Sequence, residues 1–126
     1  DSGVYSTTDG STWNQKLSSN YTCGWFTSAT EGFVAGWNKK LHYTNNGGTN
    51  WQTVNNTLDS SDAIFGLMSL DGNYLWIQDS GSHIHRSADR GTTWTHIGTG
   101  FTSWYLIDST HGWAVWNDGC IYKYQP

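Results

Sequence analysis

The 126-residue sequence has one proline, at its last position, one methionine, one glutamate and two cysteines. It also has few cations. Six Lys and Arg stand against ten Asp and Glu, for a net charge of −4. Without a basic stripe there is nothing to neutralise a run of phosphates, so nucleic acid is excluded as a partner. The same shortage argues against an anionic membrane surface. Apolar runs extend over only a few residues, so no membrane insertion is expected. No helical period is visible, and Asp1-Ser2-Gly3 does not open a signal peptide. Cys23 and Cys120 allow one disulfide, within or between chains, or two free thiols.

The chain is rich instead in aromatics and glycine. Nine Trp, seven Tyr and 15 Gly accompany abundant Ser, Thr and Asn. That composition excludes disorder and points to an all-β domain with a real core. Two N-x-S/T acceptors occur, at Asn20 and Asn55. They point to an extracellular or secreted location.

Three stretches repeat one pattern. "STTDGSTW" (6–13), "TNNGGTNW" (44–51) and "SADRGTTW" (87–94) each have Ser or Thr first, Gly fifth and Trp eighth. Trp13, Trp51 and Trp94 recur about every 40 residues, the period of stacked supersecondary units. The flanks repeat too. "GFVAGWNKKLHYT" (32–44) aligns without gaps to "GWAVWNDGCIYKY" (112–124), and "NYLWIQDSGSHIHRS" (73–87) follows with a longer loop.

Each unit reads as four short strands, A to D, separated by Gly, Asn and Asp at hairpin spacing. In the second unit they are expected over 25–28, 32–37, 40–44 and 50–54. In the third they fall over 64–69, 74–78, 83–87 and 93–97. Such units are propeller blades, each needing neighbours to cover both faces. One domain over 1–126 is expected: a partial blade over about 1–20, blades over about 21–58 and 59–100, and a partial blade over about 101–126.

"SADRGTTW" resembles the Asp-box, or bacterial neuraminidase repeat, S-x-D-x-G-x-T-W. Ser87, Asp89, Gly91, Thr93 and Trp94 complete it. Thr44, Asn46, Gly48 and Trp51 form a second copy with Asn in the aspartate place. Asp9, Gly10 and Trp13 form a third, whose aspartate comes one place late or whose loop is one residue shorter. The resemblance implies a β-propeller whose box is a turn-stabilising hairpin between strands C and D, with the three tryptophans expected in the core. The physical reasons agree. Asp or Asn accepts turn N–H groups, and Gly tolerates positive φ.

Enzymes that carry this box set a test. A sialidase needs three arginines on its substrate carboxylate and a Tyr–Glu nucleophile pair. The chain has only Arg86 and Arg90, both beside one turn, and its one glutamate is Glu31. A glycosidase with paired acids could draw on Asp59, Asp62, Asp71, Asp79, Asp108 or Asp118, but no spacing singles out a pair. No catalytic residue and no cofactor are expected.

His83 and His85 face one way, with His96 across the C–D hairpin. Cross-strand histidines can hold zinc. However, His42, His85, Tyr122 and Tyr5 occupy matching C-strand places, which reads as packing between blades. No metal site is expected.

Sugars stack on exposed aromatic rings. Trp37, Asn38, Trp116, Asn117 and Asp118, at B–C turns, form the candidate ligand-binding edge. The expected function is a non-catalytic extracellular module that binds carbohydrate or protein and self-associates. The alternatives are a structural subunit of a head-to-tail assembly or filament, and a fragment of a larger Asp-box glycoside hydrolase. Self-association follows from strand counting. The first unit shows only C and D and the last only A, B and C, so another copy's strand D would complete the last blade.

Overall fold

The structure, a computed structural model, describes residues 3–18, 20–59, 62–116 and 118–124. Among the described residues, thirteen strands follow one another: β1 (Gly3–Ser6), β2 (Asn14–Ser18), β3 (Tyr21–Phe26), β4 (Gly32–Gly36), β5 (Leu41–Thr44), β6 (Gln52–Thr53), β7 (Ile64–Ser69), β8 (Leu75–Asp79), β9 (His83–Ser87), β10 (Thr95–Thr99), β11 (Phe101–Leu106), β12 (Gly112–Trp116) and β13 (Ile121–Tyr124). They form four antiparallel sheets: β1-β2, β3-β4-β5-β6, β7-β8-β9-β10 and β11-β12-β13. The fold is all-β, built of propeller-type blades. Every strand pairs with the one before or after it, as hairpins separated by turn residues require.

Period-two alternation explains how the middle sheets stack. Leu75 and Ile77 on β8 join Phe33, Ala35 and Leu41 of the preceding sheet, with Ile64, Leu67 and Leu58, in one core. Trp76, between them in sequence, belongs to the opposite face. There it meets Met68 and Leu106, with Trp104 and Tyr124 packed around. β4 and β8 are therefore covered on both faces, and β4 is buried along its whole length. The last sheet is held by that smaller cluster and by a hydrogen bond from Gln78 Nε2 to Phe101 O (2.6 Å).

Two D strands start later than their sequence suggests. β6 is only Gln52–Thr53, and β10 begins at Thr95. The reason is the same in both. The Asn50 N–H donates to Asn46 Oδ1 (2.9 Å) and the Thr93 N–H to Asp89 Oδ1 (2.8 Å), so the box takes donors that a strand ladder would need. β3 starts earlier than expected, because Tyr21 and Cys23 already pair with Gly36 and Ala35 across a bulge.

Candidate functional site

Each Asp-box holds its own turn by side-chain hydrogen bonds. Ser87 Oγ donates to Asp89 Oδ1 (2.8 Å) and accepts from the Gly91 N–H (2.8 Å), while Thr93 Oγ1 donates to Asp89 Oδ2 (2.6 Å). Thr44 and Asn46 repeat this with the Gly48 and Asn50 N–H groups. In the first copy the anchoring hydroxyl is Thr7, not Ser6. Thr7 Oγ1 donates to Asp9 Oδ1 (3.0 Å) and accepts from the Gly10 N–H (2.9 Å). The hydroxyl-to-carboxylate spacing is thus the same in all three copies and the loop of the first is one residue shorter. Arg90 and Gly91, and Gly47 and Gly48, take positive φ as pairs, whereas Gly10 does so alone. These hydrogen bonds hold the Asp89 carboxyl below the usual range, with Thr93 the largest contributor. Trp94 packs against the main core as expected, whereas Trp51 covers its own hairpin. Trp94 and Trp51 are half-buried, and Trp51 Nε1 donates to Gly48 O (3.1 Å). Trp13 is 59% exposed, because no described sheet packs over it.

A groove of roughly 550 Å³ opens between the third sheet and the last one. Trp76, Phe101, Trp104, Trp113, Tyr122 and Tyr124 line it, with Arg86 and Lys123 as its cations. Arg86 stacks over Tyr74 (5.0 Å) and Trp76 (6.0 Å). Trp76 Nε1 and Arg86 Nε are buried there without a hydrogen-bond partner. An aromatic trough flanked by two cations suits a ligand that carries apolar groups and acceptors.

The B–C turns hold the residues expected to form a binding edge. Trp37 is 51% exposed and meets Phe65 of the next sheet edge-on at 5.6 Å. Asn38 is exposed in a positive-φ turn (φ 56). Trp116 is half-buried against Phe101 and Tyr122. Asp118 is exposed and accepts the Cys120 N–H at 2.9 Å, and Asn117 lies outside the described residues. The structure does not bring Trp37 and Trp116 together. Each belongs to its own sheet.

At the B–C turn of the third sheet, Asp79 is the focus. His83 Nδ1 (3.0 Å) and His85 Nε2 (2.9 Å) both reach its Oδ2, and its Oδ1 accepts the Gly81 and His83 N–H groups. Burial raises the pKa of this carboxyl, but the His83 N–H and the two imidazoles outweigh it, and the net direction is down. His96 lies directly across from His85, and the three rings are 5.5 to 6.1 Å apart. The expected packing of these C-strand residues between blades is corrected. His85 turns to Asp79, His42 to Tyr21 and Thr53, and Tyr122 to Trp116, all within their own sheets.

The remaining candidates lie apart from these sites. Cys23 packs on the core, and its burial pushes its thiol up to about 11, whereas Cys120 is exposed; neither is bridged. Asn20 and Asn55 are both exposed. Among the described residues, no helix is long and apolar enough to cross a membrane.

The boxes and sheet order have a match among known families. The family described as "Photosynthesis system II assembly factor YCF48" matches residues 6–102. The chain belongs to that family. Two solved YCF48 structures share the fold. One, "YCF48 bound to D1 peptide", is 22% identical with a TM-score of 0.65, covering 84% of this chain and 37% of its own. The other, YCF48 from Cyanidioschyzon merolae, is 19% identical with a TM-score of 0.70, covering 90% and 41%. The chain thus spans about two fifths of the YCF48 structures it matches. No curated protein matches it.

Sequence reading missed the groove, since its walls come from six strands spread over residues 76–124. It also missed Asp79 as a partner of the histidines. The spacing Asp-x3-His-x-His carried that signal.

Proposed function

We propose that the chain is a non-catalytic binding module that takes an extended segment of a protein partner into the groove between the third and last sheets. The observation that carries this reading is the groove itself, with six aromatic walls and two cations. Beside it runs β13, which among the described residues pairs with β12. The family is one of assembly factors, and one of the similar YCF48 structures holds a D1 peptide; both support a protein partner. Absence of catalysis is supported by the box carboxylates, which are occupied by their own turns. A lumenal or extracellular setting is supported by the exposed Asn20 and Asn55 acceptors.

The test is a titration of acidic and neutral ten-residue peptides followed by tryptophan fluorescence and calorimetry. At least one class should bind, and Trp113→Ala and Arg86→Ala should each weaken it by about 1–2 kcal/mol. If no peptide binds, or neither variant changes binding, the groove is not the site.

Self-association is a second reading, carried by the apolar surface of the last sheet. Ile121 is 69% exposed, and Ile107, Tyr105 and Trp113 are also uncovered. A β1-β2 hairpin from another copy would cover it and supply the fourth strand. Native mass spectrometry showing only monomer at tens of micromolar would remove that reading. Glycan binding at the B–C edge rests on the exposed Trp37 ring alone and would appear as ligand-dependent quenching lost in Trp37→Ala.

A further inference from the structure

We propose that Asp79, His83 and His85 form a binding site for one divalent transition-metal ion of the zinc type, with water completing the ion's coordination. One carboxylate oxygen and two imidazole nitrogens, all within 4.8 Å of one another, converge at the B–C turn of the third sheet. This donor set, nitrogen with one oxygen, is what zinc takes in proteins.

The distances fit. A tetrahedral ion with bonds of about 2.0–2.2 Å holds its ligand atoms about 3.3–3.6 Å apart. Oδ2 of Asp79 already stands 3.0 Å from His83 Nδ1 and 2.9 Å from His85 Nε2. Each gap need open by only about half an Å to admit the ion. His96 stands beside the cluster, its ring centroid 5.5 Å from both other rings, but outside the set of converging donor atoms. Its Nε2 now bonds Thr99 Oγ1 at 2.9 Å.

The backbone is shaped to make this convergence. Ser82 takes φ 61, which folds the chain from β8 back onto β9 within three residues. A side chain at Gly81 would run into the His83 ring. β10 bulges between His96 and Gly98, directly beside the cluster, and such bulges re-aim a neighbouring side chain. The carboxylate is 2% exposed, and its second oxygen is fixed by the Gly81 and His83 N–H groups. That is the outer-shell support a ligating carboxylate needs.

The repeat itself supplies a control. By strand register, the places of Asp79, His83, His85 and His96 are held in the second sheet by Gly36, Lys40, His42 and Thr53. In the last sheet the first three are Trp116, Cys120 and Tyr122. Neither set is a ligand set, and both sheets form. Packing of the blade therefore does not require the cluster.

The experiment is a calorimetric titration of the whole chain with Zn²⁺, beside thermal melts with and without the ion. One equivalent should bind and raise the melting temperature. His83→Gln and His85→Gln, both outside the core, should each weaken binding at least about tenfold. Removing the exposed Asp108–His111 pair with Asp108→Asn/His111→Gln should leave binding unchanged. Far-ultraviolet circular dichroism of each variant shows that it is folded. No zinc binding by the folded wild-type chain would overturn the proposal. So would binding that survives the His83→Gln/His85→Gln double variant, or that disappears with the Asp108–His111 pair.

Discussion

Leu41 Cδ2 stands 2.5 Å from where a Cβ on Gly91 would lie. The two belong to different sheets, so the turn of one Asp-box is seated on the preceding blade. Gly91 also has φ +86. Gly10, in the first box, has a similar φ of +74 but nothing within 4 Å of the same place. Gly91→Ala should therefore cost roughly 2–4 kcal/mol, strain plus overpacking. Gly10→Ala should cost only about 1 kcal/mol. Urea denaturation of the two variants checks the difference, and equal losses would mean the box does not carry the blade contact.

Ser87 and Thr7 play the same part at different depths. Ser87 is buried, and Ser87→Ala leaves the Gly91 N–H buried without its acceptor, at a cost of about 1–3 kcal/mol. Thr7 lies at a box whose other members face solvent, so water replaces its hydroxyl and Thr7→Ala should cost less than half as much. The same denaturation series measures both.

Acid should release the first box late. The Ser11 and Thr12 N–H groups and Thr7 hold the Asp9 carboxyl at about 2, with Thr12 contributing most. A folded pKa below the unfolded value near 3.8 means that the stabilisation is fully present above 3.8 and is lost as pH falls through about 2. Carboxyl NMR of Asp9 should titrate with a midpoint near 2. A midpoint near 3.8 would show that the turn is open in solution.

The thiols should differ in reactivity. Cys23 is packed against the core, with its thiol pushed up to about 11 by burial. Cys120 is exposed, although its Asp118 neighbour also raises its pKa. Iodoacetamide at pH 8 should label Cys120 first and reach Cys23 only on unfolding. Peptide mass mapping reads the order, and rapid labelling of Cys23 in the folded chain would contradict its placement.

Most of the fold was legible because it is written in local chemistry. Each box carries its hydroxyl, its carboxylate or amide and its glycine within five residues, and their hydrogen bonds are local. The strands β7 and β9 fall where composition and turn spacing predict them. The D strands were misjudged by about two residues, because a box takes N–H groups that propensity alone assigns to a ladder. Trp13 was misjudged because a blade's tryptophan is buried only if another sheet lies over it.

The sequence by itself determined the repeat, the antiparallel hairpins and the family, since all three rest on short-range spacing. The tertiary structure alone decided the groove and the histidine cluster. Trp76 and Trp113 line one gap between two sheets, a relationship that no periodicity encodes. Asp79 lies at the end of one strand and His85 within the next, and strand alternation does not set where a side chain points across a turn. The positive φ of Ser82 and the missing Cβ of Gly81 turn His83 and His85 onto one buried carboxylate oxygen.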